Sequence, residues 1–187
     1  MKDISLHLMD IMQNSVKANS SLIKIVIEAD KSSGLLNIKI IDNGNGMDKD
    51  FLEKVTDPFI TTRTTRKIGL GIPLLKLSAE ITGGCFSITS EVNKGTSISV
   101  SYVISNIDRI PLGDIGDTIT GTILGNPNID YQLLLSNTEQ QFIFSSKDIE
   151  KTLNGVPITE FDILNWIKEY INENVHRIFV DILPELQ

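Results

Sequence analysis

The sequence predicts an α/β fold, a two-layer α/β sandwich with a mixed, mostly antiparallel sheet, followed by a small α+β appendage at the C-terminal end. Three observations carry this. The elements run helix, two strands, glycine turn, helix, loop, helix, two strands. The strands come as neighbouring pairs, which form hairpins and leave one sheet face for the helices. The charge is also divided: residues 1–105 hold 12 Lys+Arg against 11 Asp+Glu, and residues 106–187 hold 5 against 13. That step makes Asn106 a candidate boundary between a domain at 1–105 and an acidic α+β part at 106–187.

Residues 4–18 predict an amphipathic helix, capped by Asp3 or Ser5. At 100° per residue, His7, Asp10, Gln13, Asn14 and Lys17 share one face and Leu8, Ile11, Met12 and Val16 the other. Solvated faces usually carry long charged side chains, whereas this one has an acid and an amide one turn apart. Residues 23–28 and 36–41 alternate as strands about a Ser32-Ser33-Gly34 turn. Residues 49–56 predict a short helix. A second amphipathic helix is expected over 72–82, with Pro73 in its first turn and Gly83-Gly84 as its stop. Residues 86–90 and 95–103 predict two more strands. Beyond Asn106 the pattern gives a weak, glycine-interrupted helix at 112–124, a hairpin from 131–135 and 141–144, and helices at 147–153 and 160–175.

Hydrophobic residues make up 41% and charged residues 22%, enough apolar surface for an ordinary globular core. A net charge of −7 argues against nucleic acid as the default partner, because phosphate backbones attract basic surfaces. The one cysteine, Cys85, permits no intramolecular disulfide and is expected as buried packing. There is no run of about 18 apolar residues, and the N-terminus lacks a signal-peptide pattern, so a cytoplasmic protein away from membranes is expected.

Four stretches carry chemistry. Asp42 ends a strand and is followed by Gly44 and Gly46, which puts a carboxylate beside backbone stripped of side chains. Such a slot admits a flat ring, and the carboxylate can accept a hydrogen bond from an exocyclic amine such as that of adenine. The alternative is a plain Asn-Gly hairpin turn. On the first helix, Asn14 offers a neutral oxygen to a hard cation, Asp10 can polarise a water, and Lys17 can neutralise phosphate. Taken singly these residues also read as a polar helix surface. The stretch Thr61, Thr62, Arg63, Thr64, Thr65, Arg66 and Lys67, followed by Gly69, Leu70 and Gly71, combines hydroxyls, guanidinium groups and free amides at a helix start. That is a phosphate-binding inventory, or else a solvated loop. Thr96, after Gly95, can share a water with adenine and Asp42, or simply follow a turn.

These stretches occur in one order, and the sequence resembles the GHKL superfamily of gyrase, chaperone, histidine-kinase and MutL ATPases over residues 4–103. Asp10-x-x-x-Asn14-Ser15 is similar to the asparagine box, and Asp42-Asn43-Gly44-Asn45-Gly46-Met47 to the first glycine box. Asp57-Pro58-Phe59 resembles the phenylalanine box, Gly69-Leu70-Gly71-Ile72 the later part of the second glycine box, and Gly95-Thr96 the final Gly-Thr. The resemblance implies a Bergerat-type sandwich that binds ATP and Mg2+. It implies that Asn14 coordinates magnesium and Asp42 recognises the adenine amine. Gly46 and Met47 would line the slot, with Gly44 and Phe59 beside it. Lys17 and residues 61–67 would approach phosphates, Gly69, Leu70 and Gly71 would start the next helix beneath them, and Thr96 would support the adenine-bound water.

Two departures stand out. Asp10 occupies the place of the family's usual Glu, one methylene shorter, and Lys67 replaces the first glycine of the second glycine box. The box sequences look closer to histidine kinases and the mitochondrial dehydrogenase kinases than to gyrase, and the Asn-Ser-x-x-Ala run is also similar to MutL; the helical hairpin that carries a histidine kinase's phospho-accepting histidine is not expected here. The chain thus resembles a stand-alone, histidine-kinase-like ATP-binding protein. Its expected work is phosphoryl transfer to a separate signalling protein or to water, or else an ATP-dependent switch that engages a regulatory partner without turnover. The acidic second part is the candidate for docking that partner or forming a homodimer. His7 is a candidate for the site, and His176 is expected at the surface.

Overall fold

The structure, a computed structural model, describes residues 2–55 and 70–186. Helix α1 (Ile4–Lys17) begins where the Asp3 side chain accepts from the Leu6 amide at 2.9 Å. Strands β1 (Leu22–Asp30) and β2 (Leu35–Asp42) form the first hairpin, and α2 (Lys49–Lys54) follows. Helix α3 (Gly71–Ile81) leads into β3 (Phe86–Glu91) and β4 (Gly95–Val103). The remaining elements are α4 (Ile115–Gly125), β5 (Asp130–Ser136), β6 (Gln141–Ser145), α5 (Ser146–Thr152), α6 (Phe161–Phe179) and a 3-10 turn at Pro184–Leu186.

The six strands make one sheet in the order β3-β4-β2-β1-β5-β6. Every pairing is antiparallel except β1 with β5. Alternation turns Ile23, Ile25, Ile27, Leu36, Ile38, Ile40, Ile98, Val100, Leu133 and Leu135 into a core against the helices. The opposite face carries residues such as Lys24, Lys39 and Ser99. The charge step near Asn106 is not a step in the sheet, since β5 lies beside β1 and β6 forms the far edge. Among helices, α4 packs on both α1 and α6.

The differences from the sequence expectations have local causes. Helix α4 starts at Ile115, three residues after the expected 112, because the Asp114 carboxylate caps Asp117 N–H at 2.7 Å and Leu112 is engaged elsewhere. Helix α6 continues past Val175 to Phe179, since Ile178 and Phe179 are buried and extend its apolar stripe. Cys85 is exposed, not packed. It precedes edge strand β3, whose Phe86 and Ile88 turn toward the core, so the two-residue period sends Cys85 to the open face. His176 is exposed, as expected.

The chain after β4 returns to the start of α1. The amides of Ile4 and Ser5 donate to the carbonyls of Pro111 and Leu112, both at 2.9 Å, which satisfies two donors that a helix start leaves open. Glu185 accepts from Leu112 N–H at 3.1 Å and from Arg109 Nη1 at 2.8 Å. Burial opposes the charge on Glu185, but the Arg109 guanidinium and nearby amides hold its carboxyl below the usual range. With a folded pKa below the unfolded one, this pair contributes stability above the unfolded pKa and loses it as pH falls through the folded value. Arg109→Ala is expected to cost about 2–3 kcal/mol at neutral pH, less than a fully buried pair would, and to lose part of that cost in acid. Urea unfolding at the two pH values checks this.

Candidate functional site

Asp42 closes β2, opposite Ile23 of β1 and Thr96 of β4. It is 9% exposed, and its carboxylate is held by neutral donors. Oδ2 accepts from Ser15 Oγ at 2.8 Å, and Oδ1 accepts from Gly44 N–H at 2.9 Å and Ser20 Oγ at 3.3 Å. A carboxylate has about four acceptor positions, so these bonds leave room for one further donor. Ser20 has no mark in the sequence, and Ser15, though part of the Asp10-x-x-x-Asn14-Ser15 motif, is given no role there; its hydroxyl on the buried side of α1 is the signal for one.

The loop after Asp42 is tied on both sides. Asn43 Oδ1 accepts from the Ser21 and Leu22 amides, both at 2.9 Å. Asn45 N–H donates to Ala18 O at 2.8 Å, and Asn93 N–H to Asn45 O at 2.7 Å. Gly46 has φ +64°, and a Cβ there would lie 2.0 Å from the Glu91 carbonyl oxygen. Met47 N–H donates to Ser90 Oγ at 2.8 Å, and that hydroxyl also lies 2.8 Å from Thr96 Oγ1. Ser90, also missed from sequence, thus ties the Met47 end of the glycine loop to Gly95 and Thr96 at the β3–β4 turn.

A cavity of about 480 Å³ opens among these elements, a size suited to a cofactor. Asn14, Lys17, Asp42, Gly46, Met47 and Thr96 line it. Ser15, Phe51, Val55, Ile72 and Ile98 line it as well and add apolar walls. Gly44 is buried behind the cavity as a donor to Asp42. Gly71 begins α3, and Leu70 beside it is 53% exposed. Phe59, residues 61–67 and Gly69 lie outside the described residues.

Asp10 is not on the cavity lining. Its carboxylate lies against Gly71, where a Cβ would come within 3.3 Å of Oδ2, so the acid sits at the N-terminal end of α3. One turn earlier His7 is 3% exposed, and its Nδ1 has no hydrogen-bond partner among the described residues. The single polar face expected for α1 is therefore split: His7 is inside and Gln13 outside. Burial lowers the His7 pKa below 6.5, against the raising influence of Asp10 and Asp3. The unfolded chain then binds the proton more readily, so stability present above pH 6.5 is lost as pH falls toward the folded value. Removing the titrating ring with His7→Leu is expected to shrink the drop in Tm between pH 7 and pH 5, measured by scanning calorimetry.

A buried acid held by neutral donors, a glycine-bared slot and a helix start facing one cavity define a nucleotide-type pocket on a two-layer sandwich. The chain belongs to the family described as histidine kinase-, DNA gyrase B- and HSP90-like ATPase, whose sequence profile matches residues 2–105, and it carries that family's ATP-binding domain. Sporulation kinase D of Bacillus subtilis (strain 168) is 34% identical over 68 residues, 36% of this chain and 13% of that protein. The DNA mismatch repair protein MutL of Clostridium botulinum (strain Eklund 17B / Type B) is 29% identical over a 193-residue alignment, 81% of this chain and 28% of that one. The chain thus spans less than a third of either relative. In fold it is similar to the Aquifex aeolicus MutL ATPase domain complexed with ADP, with a TM-score of 0.51 and 14% identity over 76% of this chain and 64% of that one. Among the described residues, no helix is long and apolar enough to cross a membrane.

Proposed function

We propose that the chain binds ATP with magnesium in this cavity and transfers its terminal phosphoryl group to a separate signalling protein, or to water. The observation that carries the reading is Asp42, a buried carboxylate with an acceptor position left over, facing the same cavity as Asn14 and Lys17. Adenine's exocyclic amine suits that position. Met47, Ile72 and Ile98 give the ring apolar walls. Phosphates directed toward Lys17 and the start of α3 would meet a cation and free helix amides.

The residues present fit magnesium of a particular kind. No group of three or more His, Cys, Asp or Glu side chains that could hold a metal occurs among the described residues. Asn14 offers a single oxygen, so the ion would arrive with the nucleotide and take most of its ligands from phosphates and water. When bound it would neutralise charge on the phosphates. Asp10, at the start of α3, is suited to accept a proton from the attacking hydroxyl or water. Residues 1–105 would be the ATP-binding unit, and the acidic 106–187 the part that meets a partner.

The test is incubation with γ-labelled ATP and magnesium, alone and with an extract of the source cells. Asp10→Asn is expected to bind ATP normally and to lose at least about a hundredfold in label transfer or phosphate release, the usual scale for removing a general base. Label moving to protein supports the kinase, and phosphate release supports the ATPase. Tight binding with neither outcome would make the protein an ATP-dependent switch.

A further inference from the structure

Strand β6 is one of the two edges of the sheet; it is short, but it lacks the charges and proline that usually protect an edge. Exposed edges are normally blunted by charged side chains, proline or a bulge, because their free amides and carbonyls can pair with another strand. The sequence of β6 is Gln141-Phe142-Ile143-Phe144-Ser145, with no charge and no proline. The opposite edge, β3, ends at Glu91, which pairs with Lys94 at 2.6 Å.

The pairing phase shows which groups of β6 point outward. Asn137 N–H donates to Gln140 O at 2.9 Å across the turn, and Ser136 stands opposite Gln141. Counting from that bond, Phe142 and Phe144 turn their amides and carbonyls to β5, while Gln141 and Ile143 turn theirs to the open edge. Among the described residues, these outward groups have no backbone partner beyond the sheet. The Ile143 side chain is 65% exposed on the open face, and Phe142 and Phe144 are buried on the helix face.

The strand is also nearly the same read in either direction: polar, aromatic, isoleucine, aromatic, polar. A two-fold axis through Ile143 would place Ile143 against Ile143 of the second copy, Phe142 against Phe144, and Gln141 against Ser145. The outward amides and carbonyls of the two Ile143 residues then pair with each other, aromatic faces aromatic and polar faces polar, and Ser145, the N-cap of α5, ends the pairing. The helix layer continues the same edge. Trp166 stacks on Tyr170 at 5.1 Å, and Tyr170 packs edge-on to Phe142 at 5.2 Å. Trp166 is 50% exposed beside β6, on the side of α6 away from its buried residues Ile167 and Ile171. Five residues of strand alone bury too little for a stable contact. The exposed Ile143, Trp166 and Tyr170 extend the apolar surface of the joint beyond the strand itself.

We propose that β6 is the dimer edge of this protein, joining two copies antiparallel about Ile143 into one continuous sheet, with Trp166 and Tyr170 of each α6 closing the helix side. The ATP-binding cavity lies between α1 and the β2–β4 end of the sheet, so the joint leaves it open in both copies.

The test uses the full chain without nucleotide, so its outcome is separate from that of the ATP reading. Sedimentation velocity from micromolar to millimolar protein is expected to give a monomer–dimer equilibrium that Ile143→Lys weakens at least about tenfold, with an unchanged circular dichroism spectrum. Register is tested in a Cys85→Ser background. Cysteine at 143 would face its counterpart at about 5.5 Å between Cα atoms, within the range of roughly 4.4–6.8 Å for a disulfide, and should cross-link on mild oxidation. Cysteine at 141 would lie about 13 Å from its counterpart and should not. A monomer at every concentration, a dimer indifferent to Ile143→Lys, or equal cross-linking at 141 and 143 would each overturn the proposal.

Discussion

Asp42→Asn is expected to weaken ATP binding at least about a hundredfold while leaving the fold in place. The replacement keeps the shape of the side chain and most of its local bonds. Its amide oxygen can still accept from Gly44 N–H or Ser20, and its NH2 can donate to Ser15 Oγ, which also lies 3.3 Å from Ile11 O. What changes is the position facing the cavity, where an acceptor is lost or replaced by a donor. A hydrogen bond to a charged partner contributes about 1.5–3 kcal/mol, and two donors set face to face add a desolvation cost. The same logic predicts a change of preference. A purine triphosphate with a carbonyl in place of the amine, such as ITP, should gain on ATP in the variant and lose to it in the natural protein. Calorimetric titration with both nucleotides checks this. Unchanged ATP affinity would remove Asp42 from the binding reading altogether.

Gly46→Ala is expected to destabilise the protein by about 3 kcal/mol or more and to weaken nucleotide binding with it. Its φ of +64° already costs an L-residue about 1–2 kcal/mol. The larger effect is contact: the added Cβ would stand 2.0 Å from the Glu91 carbonyl oxygen, a backbone atom that cannot swing aside. The glycine loop must then move off the β3–β4 turn, which breaks the Met47–Ser90 bond and shifts the wall beside Asp42. Gly34→Ala supplies the control. It has φ +67° with nothing within 4 Å of the new methyl, so it should cost only the strain, about 1–2 kcal/mol. A Tm drop equal in the two variants would show that the contact with Glu91 is unimportant.

Most of the sheet was legible because its residues follow the two-residue period, broken only at the Gly95 start of β4. Ile25, Ile27 and Ala29 face Ile40, Ile38 and Leu36 in the register that alternation implies. The cavity was legible for a different reason. Glycines, an acid at a strand end and a polar stripe on a helix are hard to explain by packing. What escaped was anything set by a distant partner. The parallel alignment of β5 with β1 leaves no mark in either strand, since both read as ordinary alternating runs. Ser15, Ser20 and Ser90 are common residues whose role appears only once Asp42 and Met47 lie within 3.3 Å of them. His7 was placed on the polar side of α1 by angle alone, whereas α3 and the segment around Ile110 cover it.

The parallel pairing of β1 with β5 bears on how the molecule is made. Leu22 stands opposite Asp130 and Glu28 opposite Ser136, so a strand near the start of the chain waits for one synthesised much later. While the ribosome adds residues at about 5–20 per second, β1 is a bare flank with its isoleucines on one side and no neighbour beyond β2. Helix α1 likewise lacks α4 until residues 115–125 have emerged. Closing so long a loop is slow compared with forming a hairpin. Until β5 arrives, the outer edge of β1 therefore has no strand to pair with in the nascent polypeptide.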